Sequence, residues 1–275
     1  MKPAPFAYAV AADLDAALAQ LAAGETAKPV AGNQSLGPML NLRLARPGLL
    51  VDIARLPALR AVEEGADAVR YGAAITHAEI EDGEVPDATG GWLRAAAAGI
   101  AHRAVRNRGT LGGSLAHADP AADWAVVMTG LCATAIVEGP EGARRVAMED
   151  FLTGAYATTL RPGELLAAVE VPRPGPGTQW GYWKFVRQVG EFAKASATVL
   201  VDRAHGRLRC TLGALGTAPL VLPQAEALLA GDCTPAEAVA AALPDRTKEG
   251  RALHEVALAR ALSQAGIDSA GGSGA

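Results

Sequence analysis

A chain of 275 residues, half of them hydrophobic, can bury a full core and divide into two or three subdomains. A net charge of −4 and an aromatic content of 4% argue against nucleic acid, an anionic membrane surface or a base-stacking platform as the target. Cys132, Cys210 and Cys233 are far apart and odd in number, so neither a disulfide framework nor a metal or cluster site can be drawn from them. They read as reduced thiols of a cytoplasmic protein. The opening Met1-Lys2-Pro3-Ala4-Pro5 lacks the apolar run of a signal peptide, and no segment approaches a membrane span.

In chain order, Leu14 to Ala23 reads as a helix capped by Asp13, with Leu14, Leu18 and Leu21 on one face and Gly24 after it. Pro29-Val30-Ala31 is a short strand, the region of Leu36, Met39, Leu40 and Leu44 a short helix, and Leu49 to Ile53 a buried strand. Ala68 to Tyr71 alternates as a strand. Thr76 and Glu79 form a capping box that opens a helix through Ile80. Trp92 to Ala101 is an alanine-rich helix. Asp119 as N-cap and Pro120 at the first helical position predict a further helix, with Trp124, Val127, Met128 and Leu131 as its core stripe.

Leu165 to Val171 is a strand, and the proline- and glycine-broken Pro172 to Gly177 marks a boundary. Strands follow at 180–188, 195–201 and 208–214. Thr234-Pro235-Ala236-Glu237 opens a helix through a second capping box, and a polar helix runs from Thr247 to Ser263. The glycine- and serine-rich tail, 269–275, reads as mobile.

Two small-residue segments carry the chemistry: Ala31-Gly32-Asn33-Gln34-Ser35 and Thr110-Leu111-Gly112-Gly113-Ser114. Successive N–H groups in a turn make an anion-binding concavity, and glycine removes the Cβ that would block a ligand's approach. Hydroxyl side chains stand beside both glycine turns. Neither segment matches the dinucleotide GxGxxG fingerprint or the Walker A pattern, which argues against a doubly wound nucleotide domain. Either segment alone reads better as an ordinary turn; the pair reads equally as two turns or as a diphosphate gripped from two sides.

These two loops, with Asn41-Leu42-Arg43-Leu44-Ala45-Arg46-Pro47 after the first and Arg106 to Asp123 around the second, resemble the FAD-binding subunits of the molybdenum hydroxylases. Asp150-Phe151, Arg161-Pro162-Gly163-Glu164-Leu165-Leu166, and Lys184-Phe185 with Arg187 extend the likeness over nearly the whole chain. The resemblance implies an α+β fold: two N-terminal FAD-binding subdomains of the vanillyl-alcohol-oxidase/PCMH type (1–57 and 58–172) and a C-terminal α+β subdomain with an antiparallel sheet (178–268). It implies FAD held at the diphosphate by the backbone of Lys28-Pro29-Val30-Ala31-Gly32-Asn33-Gln34-Ser35-Leu36 on one side and Thr110 to Ser114 on the other. Asp123 would bond the ribose or adenine portion, Leu166 would lie near the flavin ring, and Lys184 near the isoalloxazine carbonyls.

Asn33 stands where many relatives carry glycine, and asparagine tolerates the left-handed backbone that such a turn needs. The implied partners are a large molybdopterin-binding subunit and a small subunit with two [2Fe-2S] clusters, arranged as a dimer of heterotrimers. Electrons would reach FAD from the clusters and pass to an acceptor such as NAD, oxygen or a quinone. The alternatives are a self-contained flavin oxidoreductase and a non-catalytic assembly protein that keeps the fold.

His117, between the second loop and Asp119, takes a cofactor-adjacent role from its position but has no partner at metal-ligand spacing. His77, His102, His205 and His254 carry no functional signal. Arg103, Arg106 and Arg108 read equally as a docking feature or a solvated loop. No nucleophile–base pair is compelled by the sequence, and none is needed where a flavin carries the redox chemistry.

Overall fold

The computed structural model describes residues 2–267; the expected tail at 269–275, and the last residue of the third expected subdomain, lie outside them. The chain opens with β1 (Ala7–Val10), α1 (Leu14–Ala23), β2 (Ala27–Val30), α2 (Leu36–Asn41) and β3 (Leu49–Asp52). The three strands form a parallel sheet in the order β1-β3-β2. Asp13 Oδ1 accepts from the Ala16 N–H at 2.8 Å, so α1 starts where its cap predicts. Ala17 and Leu21 of α1 pack with Val51, Leu59 and Leu165 in a core that already joins the first sheet to the next.

After α3 (Pro57–Arg60) come β4 (Val62–Glu64), β5 (Ala68–Gly72), α4 (His77–Asp82), α5 (Trp92–Ala98), α6 (Arg103–Arg106), α7 (Leu111–His117) and α8 (Asp123–Gly130). Then follow β6 (Thr134–Glu138), β7 (Arg144–Ala147), α9 (Met148–Phe151), the small pair β8 (Leu152–Gly154) and β9 (Ala157–Thr158), and β10 (Leu165–Pro172). β10 is the middle strand of an antiparallel five-stranded sheet, β4-β5-β10-β6-β7. The reciprocal Thr76–Glu79 capping box fixes the start of α4, with each side chain bonded to the other residue's N–H. α8 is buried along its whole length, and Trp92 and Trp124 are both fully enclosed in the largest core.

Two expectations at the helix starts need correction. Thr110 to Ser114 is not a turn: Thr110 is the N-cap of α7, its hydroxyl accepting from the Gly113 N–H at 3.1 Å, so both glycines are helical. Asp119 is not a helix N-cap. Its carboxylate closes a local turn onto the Ala121 N–H at 2.9 Å, and the Pro120 carbonyl is taken by the Ala214 N–H at 3.1 Å. The segment makes a single turn, Ala122 N–H to the Asp119 carbonyl at 3.0 Å, and α8 begins only at Asp123. α5 also stops at Ala98, short of Ala101, with Gly99 as its C-cap.

The last part holds β11 (Gln179–Phe185), β12 (Ala195–Asp202), β13 (Arg207–Gly213), β14 (Leu220–Val221), α10 (Ala225–Ala230), α11 (Pro235–Ala242) and α12 (Lys248–Gln264). The strands form one antiparallel sheet in chain order, covered by α12. Gly181 allows the closest approach: a Cβ there would lie 1.9 Å from the Ala261 carbonyl oxygen. The connection before β11 is pinned by the fully buried Asp202, which accepts from the Gly175 N–H, His205 and Arg207. No helix among the described residues is long and apolar enough to cross a membrane.

Candidate functional site

A cleft of about 630 Å³ opens between the parallel sheet and the middle of the molecule. The 28–36 segment forms one wall. The start of α7, Ala73-Ala74, Ile100-Ala101 and Leu165-Leu166 form the other, and Gly190, Glu191 and Phe192 reach its rim from the β11–β12 loop. The walls touch at one seam. A Cβ on Gly32 would lie 2.1 Å from the Arg108 carbonyl oxygen and 2.8 Å from the Gly109 Cα, so only glycine permits the contact. Asn33 has φ 59°, the left-handed conformation expected of it, and the Gln34 amide donates back to the Gly32 carbonyl at 3.1 Å.

The backbone donors of the two loops are deployed differently. Among the described residues, the N–H groups of Gly32, Asn33, Gln34, Ser35 and Leu36 have no protein acceptor. In the second segment the N–H groups from Leu111 to Ser114 are already used. Leu111 donates to the Ile75 carbonyl at 2.9 Å, Gly112 to Ala73 at 2.8 Å, Gly113 to the Thr110 hydroxyl and Ser114 to the Thr110 carbonyl at 3.0 Å. Gly112 is also locked sterically, since a Cβ there would meet the Ala73 Cβ at 2.3 Å. The first loop therefore offers unpaired donors, whereas the second offers a close, rigid wall.

Two side-chain groups border that wall. His77, 4% exposed, accepts at Nδ1 from the Trp124 indole N–H at 3.0 Å. Burial, helped by the nearby Arg106 charge, lowers its pKa to about 4, so the imidazole is neutral near pH 7. Asp123 Oδ1 accepts from both the Tyr182 hydroxyl and the Lys184 ammonium, which also donates to the Gly99 carbonyl at 2.8 Å. Burial and the Asp123 carboxylate push the Tyr182 phenol well above its usual range, so it remains a donor. This cluster ties the N-terminus of α8 to β11. No group of three His, Cys, Asp or Glu among the described residues is placed to hold a metal ion.

Residues 4–174 match the family model for the FAD-binding domain in molybdopterin dehydrogenase. The chain belongs to this family. It is 36% identical over 246 residues to the nicotine 6-hydroxylase medium subunit of Paenarthrobacter nicotinovorans, covering 88% of this chain and 86% of that one. It is 38% identical over 206 residues to the carbon monoxide dehydrogenase medium chain of Afipia carboxidovorans, covering 74% and 70%. A solved structure of carbon monoxide dehydrogenase from Hydrogenophaga pseudoflava, lacking the Mo-pyranopterin moiety of its cofactor, superposes with a TM-score of 0.87 at 33% identity, covering 96% of this chain and 98% of that one. The protein is thus an FAD-binding medium subunit of the molybdenum hydroxylase type, an oxidoreductase component with the α+β fold that its sequence resembles.

Within this flavoprotein subunit, Lys28 to Leu36, Thr110, Gly112, Gly113, Ser114, His117, Asp123 and Leu166 all line the one cleft. Two singled-out residues do not. Leu111 points into the main core. Lys184 borders a smaller adjoining niche of about 380 Å³ and reaches the cleft only through Asp123. Sequence reasoning missed Tyr182, the Gly190–Phe192 rim and His77. The strand expected to run to residue 188 ends at Phe185, which frees the rim loop. His77 carries no more signal in the sequence than the other histidines. Its partner, Trp124, lies 47 residues away, and no local pattern joins the two.

Proposed function

We propose that FAD lies in this cleft with its diphosphate over the first loop, accepting from the N–H groups of Gly32 to Leu36. The observation that carries this reading is that row of five unpaired donors, set against a seam where Gly32 leaves no room for a Cβ. The residues fit a dinucleotide on both counts: a seam between the walls too tight for any side chain at Gly32, and, among the described residues, backbone donors without protein acceptors beside it. Asp123 Oδ2, free of the bonds that Oδ1 accepts, is assigned to a ribose hydroxyl. Leu166 is assigned to the flavin ring, and Lys184, which reaches the cleft through Asp123 and not directly at the ring carbonyls, to holding that carboxylate in place. The second segment acts mainly as a wall that excludes water and fixes the ligand's position.

FAD bound there supplies the redox chemistry; the chain supplies binding, orientation and electrostatics. The 1–57 and 58–172 regions enclose the cofactor, and 178–268 closes the ring end through β11 and the rim loop. The subunit takes electrons from two [2Fe-2S] clusters of a small subunit, downstream of a large molybdopterin subunit, in a cytoplasmic dimer of heterotrimers. An acceptor such as NAD, oxygen or a quinone then receives them. Relatives named as medium subunits and complex subunits support this assembly over a self-contained flavin enzyme.

Metal and flavin analysis of the native complex tests the reading. The expected result is one flavin and one molybdenum for every four irons, with the flavin lost when Gly113 is replaced by leucine. A colourless complex, or turnover by this chain alone, would contradict it.

A further inference from the structure

The second loop has no backbone N–H left for a ligand between Leu111 and Ser114. A diphosphate over the first loop would meet a wall whose backbone donors are spent from Leu111 to Ser114, so side chains there matter beside the Thr110 N–H. One is placed for the task. His77 lies at the seam itself: a Cβ on Gly109 would be 2.8 Å from its Nε2, and the same Gly109 lies against Gly32. Its backbone N–H donates to the Gly109 carbonyl at 2.9 Å, so the side chain and the loop are held in one frame. The ring lines the cleft, and among the described residues Nε2 has no protein hydrogen-bond partner.

The tautomer is also fixed. Trp124 Nε1–H can only donate, so His77 Nδ1 must accept, and in a neutral imidazole the proton then resides on Nε2. Burial keeps the ring neutral, and Arg106, whose charge acts on it, is already bound to Glu81 and to the Ile100 and Ala101 carbonyls. The result is a buried donor, oriented by Trp124 and directed into the cleft at the point where the two loops meet.

We infer that His77 is a diphosphate-binding residue, its Nε2–H donating to a phosphate oxygen of the bound dinucleotide opposite the N–H row of the first loop. Trp124 is its positioning residue. The inference rests on the cleft being the FAD site.

The test uses flavin-free full-length protein, alone and within its complex, titrated with FAD and with ADP. His77→Asn keeps an acceptor at the Nδ1 position for Trp124 but removes the Nε2 donor; His77→Gln extends an amide donor to the Nε2 position. For His77→Asn the expected result is a loss of roughly tenfold to a hundredfold in affinity, the range for a hydrogen bond to a charged group. FAD and ADP should lose by a similar factor, the unfolding midpoint of the flavin-free protein should stay put, and His77→Gln should recover most of the affinity. Unchanged FAD affinity in His77→Asn overturns the inference. So does an unaffected ADP affinity, or a parallel fall in affinity and midpoint in both variants. Wild-type protein that binds neither FAD nor ADP would instead defeat the cleft assignment on which the inference stands.

Discussion

The two loops of the cleft look alike in sequence and behave differently in the fold. Both are built of small residues, with glycine near a hydroxyl residue. Yet Gly32 to Leu36 leave their N–H groups unpaired among the described residues, whereas Leu111 to Ser114 direct theirs into Ile75, Ala73 and the Thr110 cap. Glycine accordingly means two things here. At Gly32 it lets two backbones meet beside a ligand; at Gly112 it lets a helix seat itself on Ala73. Small residues around a phosphate site do not by themselves reveal which backbone binds the phosphate.

The largest effect is expected from Gly32→Val. Its Cβ would overlap a backbone carbonyl that cannot swing aside, so the seam must open and flavin absorbance of the purified protein should vanish. Retained flavin would show that the seam is not part of the site.

Next is acid sensitivity at His77, between the loops. The unfolded chain takes up a proton near the usual histidine value of 6.5, but the folded chain resists until about pH 4. Stability from this group is therefore constant above about pH 6.5 and declines as pH falls toward 4, by roughly 3 kcal/mol in all. Urea unfolding between pH 7 and 4 should show this decline in the flavin-free protein, and His77→Asn should flatten it.

A smaller change, Thr110→Ala, removes the α7 cap at a cost of about 1 kcal/mol and frees the Gly113 N–H. The unfolding midpoint should drop while FAD affinity stays within a fewfold of wild type. A large gain in affinity would mean that the capped donor had been withheld from the ligand.

The smallest effect belongs to Asn33→Gly. At φ 59° glycine is at ease, and FAD binding should change by only a few tenths of a kcal/mol. Valine at the same position should cost about 1–2 kcal/mol of local strain, read as weaker FAD binding.

Features set by local bonds were legible in the sequence. The Asp13 cap and the Thr76–Glu79 and Thr234–Glu237 boxes need only residues within a turn of one another, and each starts its helix where expected. The Thr110–Gly113 cap has the same local logic. It was obscured because two glycines each disfavour a helix by about 1 kcal/mol, and distant contacts with Ala73 and Ile75 make up the difference. Asp119 and Pro120 read as a helix start, yet the segment makes a single turn and Ala214, 94 residues on, takes the Pro120 carbonyl. The strands β6 and β7 have no counterpart among the expected elements, though they complete the sheet around β10. At the site, the two loops could be read from residue types. The Trp124–His77 and Tyr182–Asp123–Lys184 links could not, because each joins elements far apart in the chain.

Hydrogen exchange at backbone amides, with and without FAD, tests the contrast between the loops most directly. The account predicts that amides 32–36 exchange freely in flavin-free protein and slow on FAD binding, while amides 111–114 are already protected and barely change. Protection that appears at 111–114 only with FAD, and not at 32–36, would contradict it.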